Sequence, residues 1–174
     1  MGKSLTLTKL NQTKEFIMSN EKTCWDTFSD ILNAGIDRVI LYGPAGTGKT
    51  YSAMHEQNDG QAFRLTCTDD MTNMDVTGGF LPSSDGGFDF IEGSAIQAWR
   101  GHRLVVDEID KAGGDVFATL LNMTDSDGSA TWQHPVTNEV HTPQDGFKVI
   151  MTTNVEVIEE LPMALIDRFP VRLR

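Results

Sequence analysis

The chain has 174 residues, of which 39% are hydrophobic and 16 are glycine, a size and composition typical of one globular domain with a buried core. These figures exclude a collagen, a disulfide-stapled miniprotein and a fully disordered chain. Asp and Glu number 25 against 14 Lys and Arg, so the formal net charge is −11. This charge disfavours a nucleic-acid or anionic membrane partner, because both bind clustered basic residues.

The two cysteines, Cys24 and Cys67, lie far apart and outside any CxxC pattern. This arrangement favours a reducing compartment over a disulfide framework. The longest apolar runs fall far short of the roughly 20 residues that span a bilayer, and the polar N-terminus has no signal-peptide core. We therefore expect a cytoplasmic protein without a membrane span.

Strand and helix patterns alternate along the chain after a polar N-terminal arm, which covers residues 1–22. Short β-branched runs predict strands at residues 38–42, 62–67, 103–106, 148–152 and 171–173. Apolar residues that recur every three to four positions predict helices at residues 25–32, 49–57, 95–99, 115–123 and 163–167. Such alternation is typical of a parallel sheet covered on both sides, so residues 23–174 are predicted to form one α/β domain.

Two segments interrupt this alternation. Residues 78–93 are rich in glycine and carry three phenylalanines, Phe80, Phe88 and Phe90, which predicts a hairpin or a long loop. Residues 131–142 predict a second hairpin, with its turn at residues 135–138. The histidines of this second segment have no companion at metal-ligand spacing, which disfavours a zinc site.

A glycine-rich segment between the first predicted strand and the helix after it matches the pattern G-x-x-x-x-G-K-[ST]. Its residues are Gly43, Pro44, Ala45, Gly46, Thr47, Gly48, Lys49 and Thr50. In a phosphate-binding loop of this kind, glycines let backbone N–H groups close around phosphate oxygens, and the following helix adds its positive N-terminus. Lys49 is predicted to reach the β- and γ-phosphates, and the Thr50 hydroxyl to bind Mg²⁺.

Two carboxylates, Asp107 and Glu108, follow the predicted strand at residues 103–106. In the sheet of a phosphate-binding-loop protein, a strand at this place brings its terminal aspartate beside the magnesium. Glu108 then lies where it can polarise an attacking water molecule. Asp110 is interpreted as a helix N-cap or a surface charge.

Two further polar residues follow later predicted elements. Asn154, after the strand at residues 148–152, is either a turn residue or a hydrogen-bonding partner of the attacking water or the γ-phosphate. Arg168, after a short helix, is either a surface ion-pair partner or an arginine placed at a neighbouring subunit's γ-phosphate. In the second position it would stabilise the charge that spreads during phosphoryl transfer. The residues alone leave both alternatives open.

The order of these four motifs resembles that of the AAA+ ATPases over residues 25–173. Three segments resemble the MoxR-type branch, at the places of its Walker B continuation, its helix-2 insert and its hairpin before sensor 1: residues 107–112, 78–93 and 131–142. The resemblance implies a three-layer P-loop sandwich with a mainly parallel five-stranded sheet of order 5-1-4-3-2. The phenylalanines of the insert would then either engage a client or pack on the sheet.

The resemblance also implies roles and partners. Asn154 corresponds to sensor 1, and Arg168 to an arginine finger acting in trans within a homo-oligomeric ring, with ATP and Mg²⁺ as the ligands. Members of the family continue into a helical lid that carries a sensor-2 arginine, whereas this chain ends at Arg174. We therefore expect no lid, and assign the sensor-2 role to neither Arg172 nor Arg174.

Two functions follow from these expectations. The first is an ATPase that couples hydrolysis to remodelling or assembly of a client protein. The alternative is a nucleotide-gated binding or assembly module with negligible turnover. A nucleoside triphosphatase acting on DNA is disfavoured by the charge of −11. The phosphate-binding loop does not read the base, so guanine remains an alternative to adenine.

Overall fold

The structure, a computed structural model, describes residues 22–58, 60–125 and 128–174; the predicted N-terminal arm, Lys22 excepted, lies outside these residues. The strands are β1 (Arg38–Leu41), β2 (Ala62–Thr66), β3 (Gly78–Pro82), β4 (Phe88–Glu92), β5 (Arg103–Asp107), β6 (Trp132–Gln133), β7 (Val140–His141), β8 (Lys148–Thr152) and β9 (Val171–Leu173). The α-helices are α1 (Cys24–Asn33), α2 (Lys49–His55), α3 (Asn73–Thr77), α4 (Ser94–Ala98), α5 (Gly114–Met123) and α6 (Met163–Arg168). Single 3₁₀ turns cover Ile109–Lys111 and Ile158–Glu160.

A five-stranded parallel sheet forms the centre of the domain, with the order β2-β5-β8-β1-β9. The three inner strands are buried along nearly their whole length, as expected for β-branched strands covered on both faces. Counted alone, the five strands follow the predicted order 5-1-4-3-2 when read from β9. Counted along the whole chain the order differs from that prediction, because four hairpin strands take numbers of their own.

Alternate residues of the inner strands enter two separate hydrophobic clusters, which makes the domain a three-layer sandwich. The cluster under α1 and α2 consists of Phe28, Leu32, Val39, Leu41, Ala53, Val105 and Ile150. The cluster on the opposite face includes Ile96 of α4, Leu120 of α5 and Leu165 of α6 with Leu104, Val106, Val149 and Met151 of the sheet. The predicted α/β class with helices on both faces is therefore confirmed.

Helix α1 begins with a reciprocal capping box. The Thr23 hydroxyl accepts from the Asp26 backbone N–H at 3.1 Å, and the Asp26 carboxylate accepts from the Thr23 backbone N–H at 2.8 Å. Phe28 and Leu32 then carry its apolar face into the core, while Gly35, with φ of 79°, lets the chain leave the helix. This local geometry places the start of α1, and hence Trp25, beside the glycine-rich loop.

Residues 78–93, predicted as a hairpin or a long loop, form the hairpin β3–β4, and the predicted second hairpin is confirmed as β6–β7. Phe90 joins them, because its ring stacks on Trp132 with centroids 6.0 Å apart and meets His134 edge-on at 5.1 Å. Phe88 is 70% exposed. The phenylalanines are thus divided between packing against the second hairpin and exposure to solvent, a division that the sequence left open.

The base of the first hairpin requires glycine on both sides. A Cβ atom on Gly78 would lie 2.2 Å from the carbonyl oxygen of Ile91, and one on Gly93 would lie 2.4 Å from that of Val76. The two strands therefore leave the domain side by side through a gap that admits only backbone. Among the helices of the described residues, none has the length and apolar content needed to cross a membrane.

Candidate functional site

The glycine-rich loop lies between β1 and α2, as predicted. Gly43, Gly46 and Gly48 have φ of 122°, 79° and 92°, a backbone region that residues with a side chain rarely adopt. These three glycines let the loop curl tightly over the carboxyl end of the sheet. The curled loop exposes main-chain groups to a cavity that begins at its inner side.

Lys49 follows this loop and is folded back onto it. Its Nζ donates to the carbonyl oxygens of Gly43 at 2.9 Å and Pro44 at 2.7 Å. Burial lowers the pKa of Lys49, although the charges of Asp107, Asp110 and Glu108 act in the opposite direction. The ammonium group is therefore a nearly buried cation held by neutral carbonyls, which an incoming anion can replace.

Asp107 ends β5 and lies almost fully buried beside the loop. Its Oδ1 accepts hydrogen bonds from the Thr50 hydroxyl at 2.7 Å and from the Thr152 hydroxyl, and its Oδ2 accepts from Nη2 of Arg64 at 2.5 Å. Burial by itself would raise the pKa of Asp107, but the three donors and the guanidinium charge together hold that pKa below its ordinary value. The site thus keeps an ionised carboxylate next to a hydroxyl group.

Glu108 lies at the end of β5 in a left-handed backbone conformation, with φ of 58°, which is uncommon for a residue with a side chain. Its Oε1 accepts from Nδ2 of Asn154 at 3.0 Å, and its Oε2 accepts from Nζ of Lys111 at 2.7 Å. The structure therefore brings together Glu108 and Asn154, which the sequence predicted separately from the ends of two neighbouring strands. Backbone strain at such a position is frequent in functional sites.

A cavity of about 430 Å³ lies between the loop and the ends of the strands. Its walls include Lys49 and Thr50 after the loop, and Arg64, Asp107 and Asn154 from the sheet strands and the turns after them. Lysine, arginine and main-chain amides suit phosphate oxygens, while a hydroxyl and a carboxylate are the hard oxygen donors that Mg²⁺ takes. The donor set therefore fits the phosphates of a nucleotide together with magnesium.

A second, smaller cavity of about 210 Å³ lies on the other side of the loop and also touches Lys49. It is mainly apolar, with Trp25 of α1, Tyr42 after β1 and Leu173 of β9 in its walls. Cys24 and Arg174 border it as well. An apolar slot adjoining a phosphate-sized cavity has the form expected of a site for a flat ring attached to phosphates.

Arg168, at the end of α6, is not part of either cavity wall. Its Nη1 donates to the carbonyl oxygen of Ala164 at 2.9 Å, and its Nη2 contacts Oδ2 of Asp125 at 3.3 Å. Asp110 lies within the 3₁₀ turn after β5, where Glu108 is the N-cap, so its interpretation as an N-cap is wrong, whereas its interpretation as a surface charge agrees with its exposed position. It accepts from the Thr153 hydroxyl at 2.6 Å, which joins this turn to the residue after β8.

Three residues of the site escaped the sequence analysis: Arg64, Thr152 and Trp25. Arg64 lies in a strand that carried no motif, and only the strand register brings it to Asp107. Thr152 is the last residue of β8, so its position two residues before Asn154 was a usable signal. Trp25 appeared only as an apolar residue of a helix, because nothing in the sequence indicates that α1 begins beside the loop.

The fold and the site together define a P-loop domain of the kind that binds nucleoside triphosphates. The chain belongs to the AAA+ superfamily: the family model of the AAA domain, dynein-related subfamily, matches residues 38–169. The matched region runs from the first strand of the sheet to the residue after α6. It contains every predicted site residue.

A solved structure that resembles this one belongs to a putative ATPase from Cytophaga hutchinsonii ATCC 33406, with a TM-score of 0.59 and 21% sequence identity. The likeness covers 97% of this chain and 52% of that one, so this chain spans about half the length of its structural relative. At this level of identity the likeness shows the fold alone. No curated protein matches the chain.

Proposed function

We propose that this domain binds ATP with Mg²⁺ and hydrolyses it, and that hydrolysis drives remodelling or assembly of a client protein. The observation that carries the proposal is the convergence of Lys49, Thr50, Asp107, Glu108 and Asn154 on one cavity. Membership of the AAA+ superfamily supports nucleotide use in general. The choice of ATP as the nucleotide, of Mg²⁺ as the metal and of a client protein as the target is part of this proposal.

Each group of the cavity has a distinct task in this proposal. The loop amides and Lys49 bind the phosphates, and Thr50 and Asp107 hold magnesium, which neutralises charge on the phosphate oxygens. Glu108 accepts a proton from the attacking water, and Asn154, which already donates to Glu108 at 3.0 Å, keeps that carboxylate and the water aligned. The apolar cavity beside Trp25 receives the base.

Arg168 is proposed to complete the site of a neighbouring subunit in a homo-oligomeric ring. Its position outside the cavities of its own chain supports action in trans. The two hairpins at the predicted places support a MoxR-type arrangement within the superfamily. The free thiols of Cys24 and Cys67 support a reducing, cytoplasmic location.

A second candidate function is a nucleotide-gated assembly module with little turnover. Both carboxylate oxygens of Glu108 are occupied, by Asn154 and by Lys111. Each oxygen then keeps one free lone pair, but the Lys111 ammonium opposes the arrival of a proton on this carboxylate. If Lys111 stays in place and hydrolysis is negligible, the domain binds ATP and changes its surface without cycling.

The test of the leading proposal compares Glu108→Gln with Lys49→Ala and with Glu159→Gln, a control in the exposed 3₁₀ turn away from the site. Glu108→Gln should retain ATP affinity and lose about 10²–10⁴-fold in phosphate release, because the general base is gone. Lys49→Ala should lose affinity itself, and Glu159→Gln should match the wild type. Full turnover by Glu108→Gln contradicts the proposal, whereas tight ATP binding by a wild type without turnover favours the second candidate.

A further inference from the structure

Arg64 is the one arginine whose guanidinium meets a proposed metal-binding carboxylate within the described residues. It lies on the edge strand β2, aligned with Val105, while Thr66 of the same strand is aligned with Asp107. The long side chain therefore runs along the sheet towards the carboxyl end and reaches Oδ2 of Asp107 at 2.5 Å. Its side chain is 49% exposed, whereas that of Asp107 is 6% exposed.

The two oxygens of Asp107 are engaged differently. Oδ1 already accepts from the Thr50 and Thr152 hydroxyls, which the fold supplies from α2 and β8. Oδ2 accepts from Arg64, and both residues border the phosphate cavity. A divalent cation, or a water molecule bound to it, needs a lone pair of this carboxylate. Since two hydroxyl groups already share Oδ1, the cation must approach Oδ2, where it meets the positive guanidinium of Arg64.

We propose that Arg64 competes with the divalent cation for Asp107, and that nucleotide phosphates release it by offering the guanidinium another anionic partner. The inference rests on the proposed function, because it concerns the metal that accompanies the nucleotide. Arg64 is thus a positioning residue that makes metal binding depend on nucleotide binding. Arg64 borders the same cavity as Lys49 and Gly46, the groups proposed to bind the phosphates.

The electrostatics of the cavity support this exchange. Two cations on one buried carboxylate repel each other, so metal entry without phosphates requires Arg64 to move into water. When phosphates are present, the guanidinium exchanges one anion for another and keeps charge-assisted hydrogen bonds. Arg64 weakens metal binding only when nucleotide is absent. By linkage, it therefore makes each ligand, the metal and the nucleotide, increase the affinity for the other.

The first test measures binding of Mn²⁺ alone, without nucleotide, from the electron paramagnetic resonance signal of the free ion. Arg64→Gln should bind Mn²⁺ about tenfold more tightly than the wild type, the factor expected when a charge-assisted hydrogen bond no longer competes. Arg64→Met carries the same expectation if the glutamine variant does not fold. Arg100→Gln is the matched control, because Arg100 pairs with Glu92 at 2.6 Å and borders neither the phosphate cavity nor its carboxylates. Unchanged or weaker Mn²⁺ binding by the Arg64 variants overturns the competition.

The second test measures binding of a fluorescent ATP analogue with EDTA present. Arg64→Gln should bind it several-fold more weakly than the wild type, because one phosphate partner is lost. An unchanged affinity overturns the transfer of Arg64 to the phosphates. If the wild type does not bind the analogue, whether EDTA is present or absent, the proposed function fails. The Mn²⁺ measurement then still shows whether Arg64 competes with the cation for Asp107. If the role of Arg64 were purely structural, its replacement would weaken the binding of Mn²⁺ and of the ATP analogue together.

Discussion

Asp107 owes its ionised state to the two hydroxyl groups and the guanidinium that the fold places beside it. The pKa of Asp107 is held below its ordinary value of 3.8 because the hydrogen bonds from Thr152, Thr50 and Arg64 outweigh its burial. Since the folded-state pKa is depressed, these contacts stabilise the fold above pH 3.8 and are lost as the pH falls through the folded-state pKa. The carboxylate therefore contributes to stability at neutral pH as well as to the site.

Thr152→Val removes one buried donor while keeping the side-chain shape. We expect the free energy of unfolding near neutral pH to fall by about 1–3 kcal/mol. The deficit should shrink as the pH falls below 3.8 and through the lower folded-state pKa of Asp107, where the folded carboxylate becomes protonated. Urea unfolding across this pH range measures it, with Thr137→Val in the exposed hairpin turn as the control. A deficit that stays constant with pH would contradict the assigned role of Asp107.

The two cysteines should differ in reactivity. Burial raises the pKa of Cys67 to about 12, so almost none of it is thiolate at about pH 8. Burial also raises the pKa of Cys24, but its side chain is only partly buried and borders the apolar cavity. A thiol reagent should therefore modify Cys24 first and Cys67 only on unfolding, and bound ATP should slow the reaction of Cys24. The Cys24→Ser and Cys67→Ser variants show which thiol gives each modification rate. Equal rates for the two thiols, or no protection of Cys24 by ATP, would contradict this assignment.

At the scale of the elements, buried strands were the easiest to predict. The five sheet strands lie within one residue of their predicted ends, because β-branched runs between polar turns leave few alternatives. Helix α2 ends two residues before the prediction, since Glu56 is extended and Gln57 has φ of 44°. Helix α3 was missed because it buries one residue, Val76, which gives no periodicity to detect.

The site was predictable where one segment of chain carries it, and not where several strands meet. The glycine-rich loop with Lys49 is contiguous, and its pattern names its chemistry. Asp107 and Asn154 could be placed at the same sheet edge because the ends of parallel strands converge. Arg64 could not, because strand order and register decide which residue of an edge strand reaches its neighbour.

The two hairpins are expected to act as one unit through the contact between Phe90 and Trp132. A double-mutant cycle with Phe90→Ala and Trp132→Ala should give a coupling energy of about 0.5–1.5 kcal/mol in urea unfolding, the range for aromatic pairs. The matched cycle with Phe88→Ala should give none, because Phe88 lies exposed on the same strand. Equal couplings in the two cycles would mean that the hairpins do not communicate through these rings.

At the scale of the whole molecule, the proposal requires a neighbour. Arg168 lies away from the cavity of its own chain, next to Asp125, so its proposed role in turnover requires it to reach another subunit. Arg168→Ala should therefore keep ATP affinity and lose about 10³-fold or more in phosphate release. Arg172→Ala, on the exposed side of β9, is the matched control and should behave as the wild type.

Loss of turnover in Arg168→Ala alone could also follow from losing its contact with Asp125. Mixing the Arg168→Ala and Glu108→Gln variants separates these two explanations. An Arg168→Ala subunit keeps Glu108, and a Glu108→Gln subunit keeps Arg168. If the arginine acts in trans, mixed assemblies contain interfaces with both groups intact. A variant that had merely lost its fold would not be rescued by such a partner.

The central claim, that ATP is hydrolysed at the Lys49–Asp107–Glu108 cavity and that a second copy completes it, is tested most directly by phosphate release in this mixture as the protein concentration is raised. The account predicts that each variant alone is nearly inactive, that the mixture recovers activity, and that wild-type turnover per chain rises with concentration. A mixture as inactive as its components, together with wild-type turnover per chain that is independent of concentration, would contradict it.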